Sequence, residues 1–256
     1  MESPDLPVSS PPGCIDLLAI APHPDDAEIG AGATLALHAR RGYRVGILDL
    51  SRGELGTNGT AEERLAEAQE AARVLGLAWR GNLGLADRGL QPEPQRVTEL
   101  ALMLRRLRPR VVLLPSPSDA HPDHRAAGIL AREALMSAGL PRWDPTTPSH
   151  RAQRVLYYFV DPPVAPSLLV DVSGYLEVKM RALRCHASQF LPGPGRVPTV
   201  LNDGHYLVRV EAQARYLGAM MGREAAEAFS AAELPLFSDL VAWSLRCPDP
   251  AGSGAR

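Results

Sequence analysis

The chain has 256 residues and a formal net charge of −2, and it is 45% hydrophobic and 22% charged. These values are typical of a globular protein and exclude disorder, collagen and coiled coil as descriptions of the whole chain. A charge near zero argues against a general nucleic-acid binder, which usually carries a basic excess. The three cysteines are far apart and form no CxxC motif, so neither a disulfide framework nor a cysteine zinc site is indicated.

The two ends of the chain differ in composition from the rest. Residues 1–13 and 247–256 are expected to be flexible tails, which leaves a single domain over residues 14–246. The N-terminal tail is acidic and rich in proline and lacks the apolar core of a signal peptide. No apolar run approaches the roughly 18 residues of a membrane span. We therefore expect a cytoplasmic protein that has no membrane or nucleic-acid partner.

Short apolar runs alternate with helical patterns along the chain. Continuous apolar runs are typical of strands buried on both faces, and they predict strands at 15–21, 43–50, 110–115, 155–160 and 168–172. Helix-capping signals and apolar stripes predict helices at 29–41, 60–76, 97–107, 124–138, 175–185 and 210–221. This alternation predicts an α/β fold, a mostly parallel Rossmann-like sheet with helices on both faces. Such sheets bind ligands beyond the carboxyl ends of their strands.

Two motifs that contain histidine and aspartate follow predicted strands. His23-Pro-Asp-Asp26 comes after the first strand, and His121-Pro-Asp-His124 comes after the strand at 110–115. Histidine and carboxylate without thiolate form a ligand set suited to zinc, or to iron or cobalt. Two histidines, one aspartate and a water are the arrangement of a catalytic zinc site with an open position. Helix capping by aspartate would explain one acid in each motif but not the histidines.

The two motifs resemble a known family. Together with Glu28, they resemble the signature motifs of the PIG-L/LmbE-type metal-dependent N-acetylglucosaminyl deacetylases. Residues 49–59, 82–90 and 188–190 further resemble the branch that deacetylates N-acetyl-glucosaminyl malate in bacillithiol biosynthesis. The similarity covers roughly residues 15–240, and it implies the α/β fold that the sequence pattern predicts.

The resemblance implies a metal centre and a general base. His23, Asp26 and His124 would bind one zinc ion per chain, and Asp25 would be the general base on its water. The chemistry fits this division, because zinc lowers the pKa of a bound water to about 7. A carboxylate that is not a metal ligand must then accept the proton of the water.

Further roles follow from the resemblance at four other positions. His121 would stabilise the developing oxyanion or protonate the leaving amine, and Asp123 would orient His121. Arg64 by itself has the pattern of an exposed helix residue, but the resemblance implies that it lines the active site and contacts the ligand. Glu28 is expected near the site, either in support of it or as a favourable charge in the first turn of a helix.

Three other functions fit the sequence less well. Gly30-Ala-Gly32 opens a helix as in dinucleotide-binding proteins, but Leu35 stands where the third glycine of that motif belongs. A two-metal phosphoesterase would need more ligands than the three identified. A non-catalytic metal-binding protein would not need Asp25 beside the ligands.

The substrate remains open between two candidates. The branch resemblance favours N-acetyl-glucosaminyl malate, and the alternative is a chito-oligosaccharide or another GlcNAc conjugate. The roles of Asp87, Arg88, His205 and Tyr206 are left open by the sequence. The resemblance also implies a homo-oligomer, with a hexamer as the expected form.

Overall fold

The computed structural model describes residues 14–163 and 165–234. The tails predicted at 1–13 and 247–256 lie outside the described residues, and so does the end of the predicted domain after residue 234. Within these ranges, no helix combines the length and the apolar character that crossing a membrane requires.

A seven-stranded sheet forms the centre of the fold. Its strands are β1 (Leu17–Ala21), β2 (Val45–Ser51), β3 (Trp79–Leu85), β4 (Val111–Pro115), β5 (Arg154–Tyr158), β6 (Leu168–Asp171) and β7 (Ala226–Ala231). They lie in the order β3-β2-β1-β4-β5-β7-β6. Neighbours from β3 to β5 pair in parallel, whereas β7 is antiparallel to both β5 and β6. The predicted mostly parallel sheet is therefore confirmed.

Helices cover both faces of this sheet. They are α1 (Asp26–Arg40), α2 (Ala61–Leu75), α3 (Pro94–Leu107), α4 (Pro122–Ala138), α5 (Leu176–Cys185), α6 (Ala187–Phe190) and α7 (Tyr206–Met220). Alternate residues of β1 belong to different core clusters: Leu17 and Ala19 pack in one, Leu18 and Ile20 in the other. The first cluster contains residues of α1, α2, α5 and α7, and the second contains residues of α3 and α4. The continuous apolar runs thus reflect burial on both faces.

The strand order places a crevice between β1 and β4. After β1 the chain continues to β2 on one side, whereas β4 lies on the other side and leads on to β5. Such a switch point in a parallel sheet leaves a crevice at the carboxyl ends of the strands. One predicted motif follows each of these two strands, and helices α1 and α4 begin within the motifs.

The structure differs from the predicted elements in several places. Strands β3 and β7 and the short α6 had no prediction, and α1, α3, α4 and α7 begin two to four residues earlier than predicted. The early start of α4 is explained by Pro122, which occupies the first turn of a helix without the loss of a hydrogen bond. Arg64 in α2 is buried, so the exposed position that its helix pattern alone indicates is wrong.

Candidate metal-dependent active site

All three predicted metal ligands meet at the crevice. Asp26, in the first turn of α1, lies between two histidine rings: its Oδ2 is 3.0 Å from Nδ1 of His23, and its Oδ1 is 3.3 Å from Nε2 of His124. One ligand atom from each of the three residues lies within 4.8 Å of the others. Burial alone would raise the pKa of Asp26, but the histidines lower it well below its usual range. Two imidazoles and an ionised carboxylate at this spacing fit a zinc ion.

Asp25 is held beside this cluster in an unusual backbone conformation. It precedes α1 with φ at +123°, a region that residues other than glycine rarely adopt. Its side chain is buried, and its Oδ2 accepts a hydrogen bond of 3.2 Å from Nη2 of Arg64. Burial raises the pKa of Asp25 to about 6, even though the charge of Arg64 lowers it. Backbone strain and a raised pKa are typical of functional positions.

Arg64 is fixed by the loops around Asp25. Its guanidinium donates to the carbonyl oxygens of Gly53 and Pro24, both at 2.9 Å, in addition to Asp25. Gly53 has φ at +65°, and a Cβ atom there would overlap the guanidinium of Arg64. The glycine is therefore needed for both the turn and the close approach of the arginine. Arg64 also lines the cavity described below.

His121 and Asp123 are both brought to the site, but with a different contact from the one expected. Nδ1 of His121 accepts a 3.2 Å hydrogen bond from the backbone N–H of Asp123 at the start of α4. The carboxylate of Asp123 instead has its Oδ2 3.5 Å from Nε2 of His23. Burial lowers the pKa of His121, and the neighbouring His124 acts in the same direction. A neutral His121 ring carries its proton on Nε2, because Nδ1 is an acceptor.

A buried ionic network lies behind α1. Arg80 of β3 donates to Asp49 through Nε at 2.8 Å and Nη2 at 3.0 Å, and to Glu28 through Nη1 at 2.5 Å. His186 lies 2.9 Å from the same oxygen of Glu28. Burial would raise the pKa of Glu28, but Arg80 and His186 lower it to about 2. Glu28 therefore supports the first turn of α1 from inside the protein and does not line the cavity.

A cavity of about 900 Å³ opens over the ligand cluster. Its volume suits a small-molecule site, and such sites are mostly 300–1,000 Å³. Beyond the predicted site residues, its walls include Leu55, Asp87, Arg88, Asp119, Asp161, Gln189, Val200, Leu201, Asp203, His205, Tyr206 and Arg209. The four residues that the sequence left open are thus all at the cavity.

Among the residues without a sequence prediction, three make polar contacts with the predicted site residues. Arg80 and His186 belong to the ionic network, and Asp119 has its Oδ1 3.0 Å from Nδ1 of His124. Asp119 stands two residues before the HPDH motif, where it could have been noticed. Arg80 had no such signal, because its partners are 31 and 52 residues away along the chain.

Comparisons with known proteins agree with the fold and identify the family. The family model described as "PIG-L: GlcNAc-PI de-N-acetylase" matches residues 18–135, which include both motifs. The chain is 36% identical over 189 residues to the diacetylchitobiose deacetylase of Thermococcus kodakarensis. The matched region covers 68% of this chain and 70% of that protein. The chain is 29% identical over 210 residues to the probable N-acetyl-α-D-glucosaminyl L-malate deacetylase 2 of Bacillus anthracis, covering 73% and 87%.

A solved structure resembles this chain over most of its length. The conserved protein TT1542 from Thermus thermophilus superposes with a TM-score of 0.79 at 43% identity, covering 87% of this chain and 97% of that one. The fold and the His/Asp cluster place a candidate metal site at the switch point of an α/β sheet. The chain belongs to the PIG-L family, and it is an N-deacetylase.

Proposed function

We propose that the protein is a zinc-dependent hydrolase that removes the N-acetyl group from a GlcNAc conjugate. The observation that carries the proposal is the cluster of His23, Asp26 and His124 beside the buried Asp25. When bound by the three ligands, zinc supplies a water nucleophile of lowered pKa and polarises the amide carbonyl. Iron or cobalt would suit the same ligands.

Asp25 is proposed as the general base. It is ionised above its pKa of about 6, so it can accept a proton near neutral pH. Arg64 holds its carboxylate in place by the hydrogen bond to Oδ2. Asp25 accepts one proton from the water and the leaving amine requires one proton, so the proton count of the hydrolysis balances. Arg64 keeps its proposed role in contact with the substrate as well, since it lines the cavity.

His121 is proposed to stabilise the developing oxyanion. Its Nδ1 is occupied by the backbone N–H of Asp123, which leaves Nε2–H as the donor of the neutral ring. Of the two roles predicted for His121, this one needs only the neutral form that its lowered pKa favours. A fixed donor aimed at developing charge is among the largest contributions an enzyme site makes. Asp123 contributes through its backbone and by its charge beside His23.

The proposed substrate is N-acetyl-glucosaminyl malate, as in bacillithiol biosynthesis. Malate brings two carboxylates, and the cavity wall includes the cationic Arg88 and Arg209. The same cavity is lined by six acids, Asp161 and Asp203 among them, and by three arginines, so the charge of its wall favours neither candidate substrate. The 36% identity to a diacetylchitobiose deacetylase supports a chito-oligosaccharide as the second candidate.

The competing functions are less well supported by the geometry. The Gly30 position is needed for packing, because a Cβ atom there would overlap the Tyr158 ring, so its glycine does not indicate a dinucleotide. A second possible ligand group, His23 with Asp87 and Asp123, reuses His23, so it does not supply an independent second set of ligands for a phosphoesterase. A non-catalytic metal site gives no reason for the strained Asp25.

Acetate release is the test of the proposed function. We expect the zinc-loaded protein to release acetate from N-acetyl-glucosaminyl malate faster than from diacetylchitobiose, and from both faster than from free GlcNAc. Arg209→Ala should raise KM for the malate conjugate and leave KM for diacetylchitobiose nearly unchanged. Arg215→Ala on the outer side of α7 is the control, since its partners Glu211 and Glu224 are surface residues. Faster release from diacetylchitobiose would favour the second candidate, and no release from any of the three would contradict the proposal.

A homo-oligomer, with six copies as the expected form, stays part of the proposal. Val208, Tyr216 and Met220 are exposed at four- and eight-residue spacing on α7, so one helix face carries apolar groups. Light scattering at micromolar concentration tests this expectation, and a monomer mass would contradict it. The cytoplasmic location likewise stays a prediction.

A further inference from the structure

Each histidine of the ligand cluster uses its two ring nitrogens in different directions. In His124, Nε2 lies 3.3 Å from Asp26, and Nδ1 lies 3.0 Å from Oδ1 of Asp119. Asp119 is only 5% exposed, so its charge is poorly screened by water. The two atoms are within hydrogen-bond distance, although their geometry does not complete a hydrogen bond.

His23 shows the same arrangement with its nitrogens exchanged. Its Nδ1 lies 3.0 Å from Asp26, and its Nε2 lies 3.2 Å from Oδ1 of Asp87. Asp123 adds a second carboxylate oxygen at 3.5 Å from the same Nε2. In both rings, therefore, one nitrogen faces the shared ligand Asp26 and the other faces a carboxylate outside the cluster.

We propose that Asp119 and Asp87 are positioning residues that fix opposite tautomers of the two histidines, so that His124 binds the metal through Nε2 and His23 through Nδ1. A histidine ligand whose second N–H is donated to a carboxylate is held in one tautomer and becomes a stronger ligand. The inference rests on the metal site of the proposed function. It adds two residues, one of them without any sequence prediction, that act on the metal without touching it.

Both aspartates also make backbone contacts, which a purely structural role would explain. Oδ1 of Asp119 accepts the backbone N–H of His121 at 2.8 Å, and Oδ2 of Asp87 accepts that of Leu55 at 3.1 Å. An asparagine keeps an oxygen that accepts such a bond but loses the negative charge. Asn variants therefore separate support of the loop from action on the histidine rings.

The first measurement needs no variant. Long-range ¹H–¹⁵N spectra of the zinc-loaded protein, labelled at histidine, report which ring nitrogen carries the proton. We expect the proton of His124 on Nδ1 and that of His23 on Nε2. His124→Gln and His23→Gln spectra assign the signals. The same tautomer in both rings would overturn the proposal.

The second measurement is zinc affinity by competition with a chelator. Asp119→Asn and Asp87→Asn should each bind zinc about 10- to 100-fold more weakly than the wild type, while the Tm of the metal-free protein changes little. Asp144→Asn is the matched control, because Asp144 accepts the backbone N–H of Thr146 at 2.9 Å in the same i, i+2 geometry as Asp119 but lies outside the cavity. Its zinc affinity should equal that of the wild type.

The outcomes separate this inference from the proposed function. Unchanged zinc affinity in both Asn variants would overturn the inference, even if the wild type releases acetate normally. A second zinc ion ligated by Nε2 of His23 would also overturn it, since that nitrogen would then carry no proton. Weakened zinc binding with the expected tautomers would uphold it, even if no acetate were released and the proposed function failed.

Discussion

The positive charge of Arg80 is expected to stabilise the folded protein next to the active site. Its guanidinium is 1% exposed, and its partners Glu28 and Asp49 are equally buried. Arg80→Met keeps much of the apolar stem but leaves two buried carboxylates without their cation. Breaking a buried ion pair from one side costs about 3–5 kcal/mol. For a domain of this size, that corresponds to a fall in Tm of roughly 6–20 °C.

The pH dependence of this effect has a definite sign. In the wild type, Arg80 and His186 overcome burial and lower the pKa of Glu28 to about 2, so the stability that this carboxylate contributes is present above pH 4.5 and is lost as the pH falls towards 2. Burial raises the pKa of Asp49 in spite of Arg80, so the contribution of Asp49 to stability changes with pH in the opposite direction from that of Glu28. Without Arg80, burial raises the pKa of both carboxylates. Their protonation at lower pH then removes the unpaired buried charges and reduces the variant's loss of stability. The Tm difference between variant and wild type should therefore shrink from pH 7 to pH 5.

Thermal unfolding of the metal-free proteins measures both effects. Arg215→Ala is the control, because an exposed i, i+4 pair such as Arg215–Glu211 contributes only about 0.3–0.5 kcal/mol. A fall in Tm of Arg80→Met no larger than that of the control would refute the reasoning. So would a Tm difference that grows as the pH falls.

Four substitutions test the assigned roles at the metal. Asp25→Asn should bind zinc as well as the wild type but have a kcat lower by roughly 10²–10⁴-fold, because the amide cannot accept a proton. Its pH–rate profile should also lack the acid limb. Equal loss of zinc in Asp25→Asn and Asp26→Asn would make Asp25 a ligand. Asp26→Asn should itself weaken zinc binding, measured by chelator competition, because a neutral amide is a poorer ligand than a carboxylate. His121→Ala should keep its zinc and lose roughly 10²–10³-fold in kcat, as for a removed oxyanion donor, and loss of zinc would instead exchange the roles of the two histidines in the motif. His124→Ala should stay folded yet lose stable zinc binding, and full occupancy by elemental analysis would contradict its assignment as a ligand.

Much of the fold was predictable where local chemistry is distinctive. Helix α2 begins and ends as the sequence indicates: the side chain of Thr60 accepts the N–H of Glu63 at 3.1 Å, and Gly76 ends the helix in the left-handed conformation. Strand β3 was not predictable, because Trp79-Arg-Gly-Asn-Leu-Gly-Leu85 has two glycines and two polar residues in seven. The strand is held by its pairing with β2 and by the packing of Trp79 and Leu85 in a core cluster, and these contacts join residues distant in sequence.

The two motifs were predictable as a site because each follows a strand at the switch point of the sheet. The contacts within the site were less predictable. Asp123 was expected to orient His121 with its carboxylate, but the start of α4 gives that contact to its backbone N–H. Asp119 lies in the turn before the same helix, and only the folded chain shows its carboxylate against His124. Side-chain direction at a helix start depends on the turn that precedes it, which the spacing of motifs does not specify.

The proposed deacetylase activity depends on one metal ion bound by His23, Asp26 and His124. The most direct test is acetate release from N-acetyl-glucosaminyl malate and diacetylchitobiose by protein stripped of metal and then titrated with zinc. We expect no activity in the stripped protein and a rise in activity that saturates at one zinc ion per chain. Acetate release by the fully stripped protein, or saturation only at two ions per chain, would contradict it.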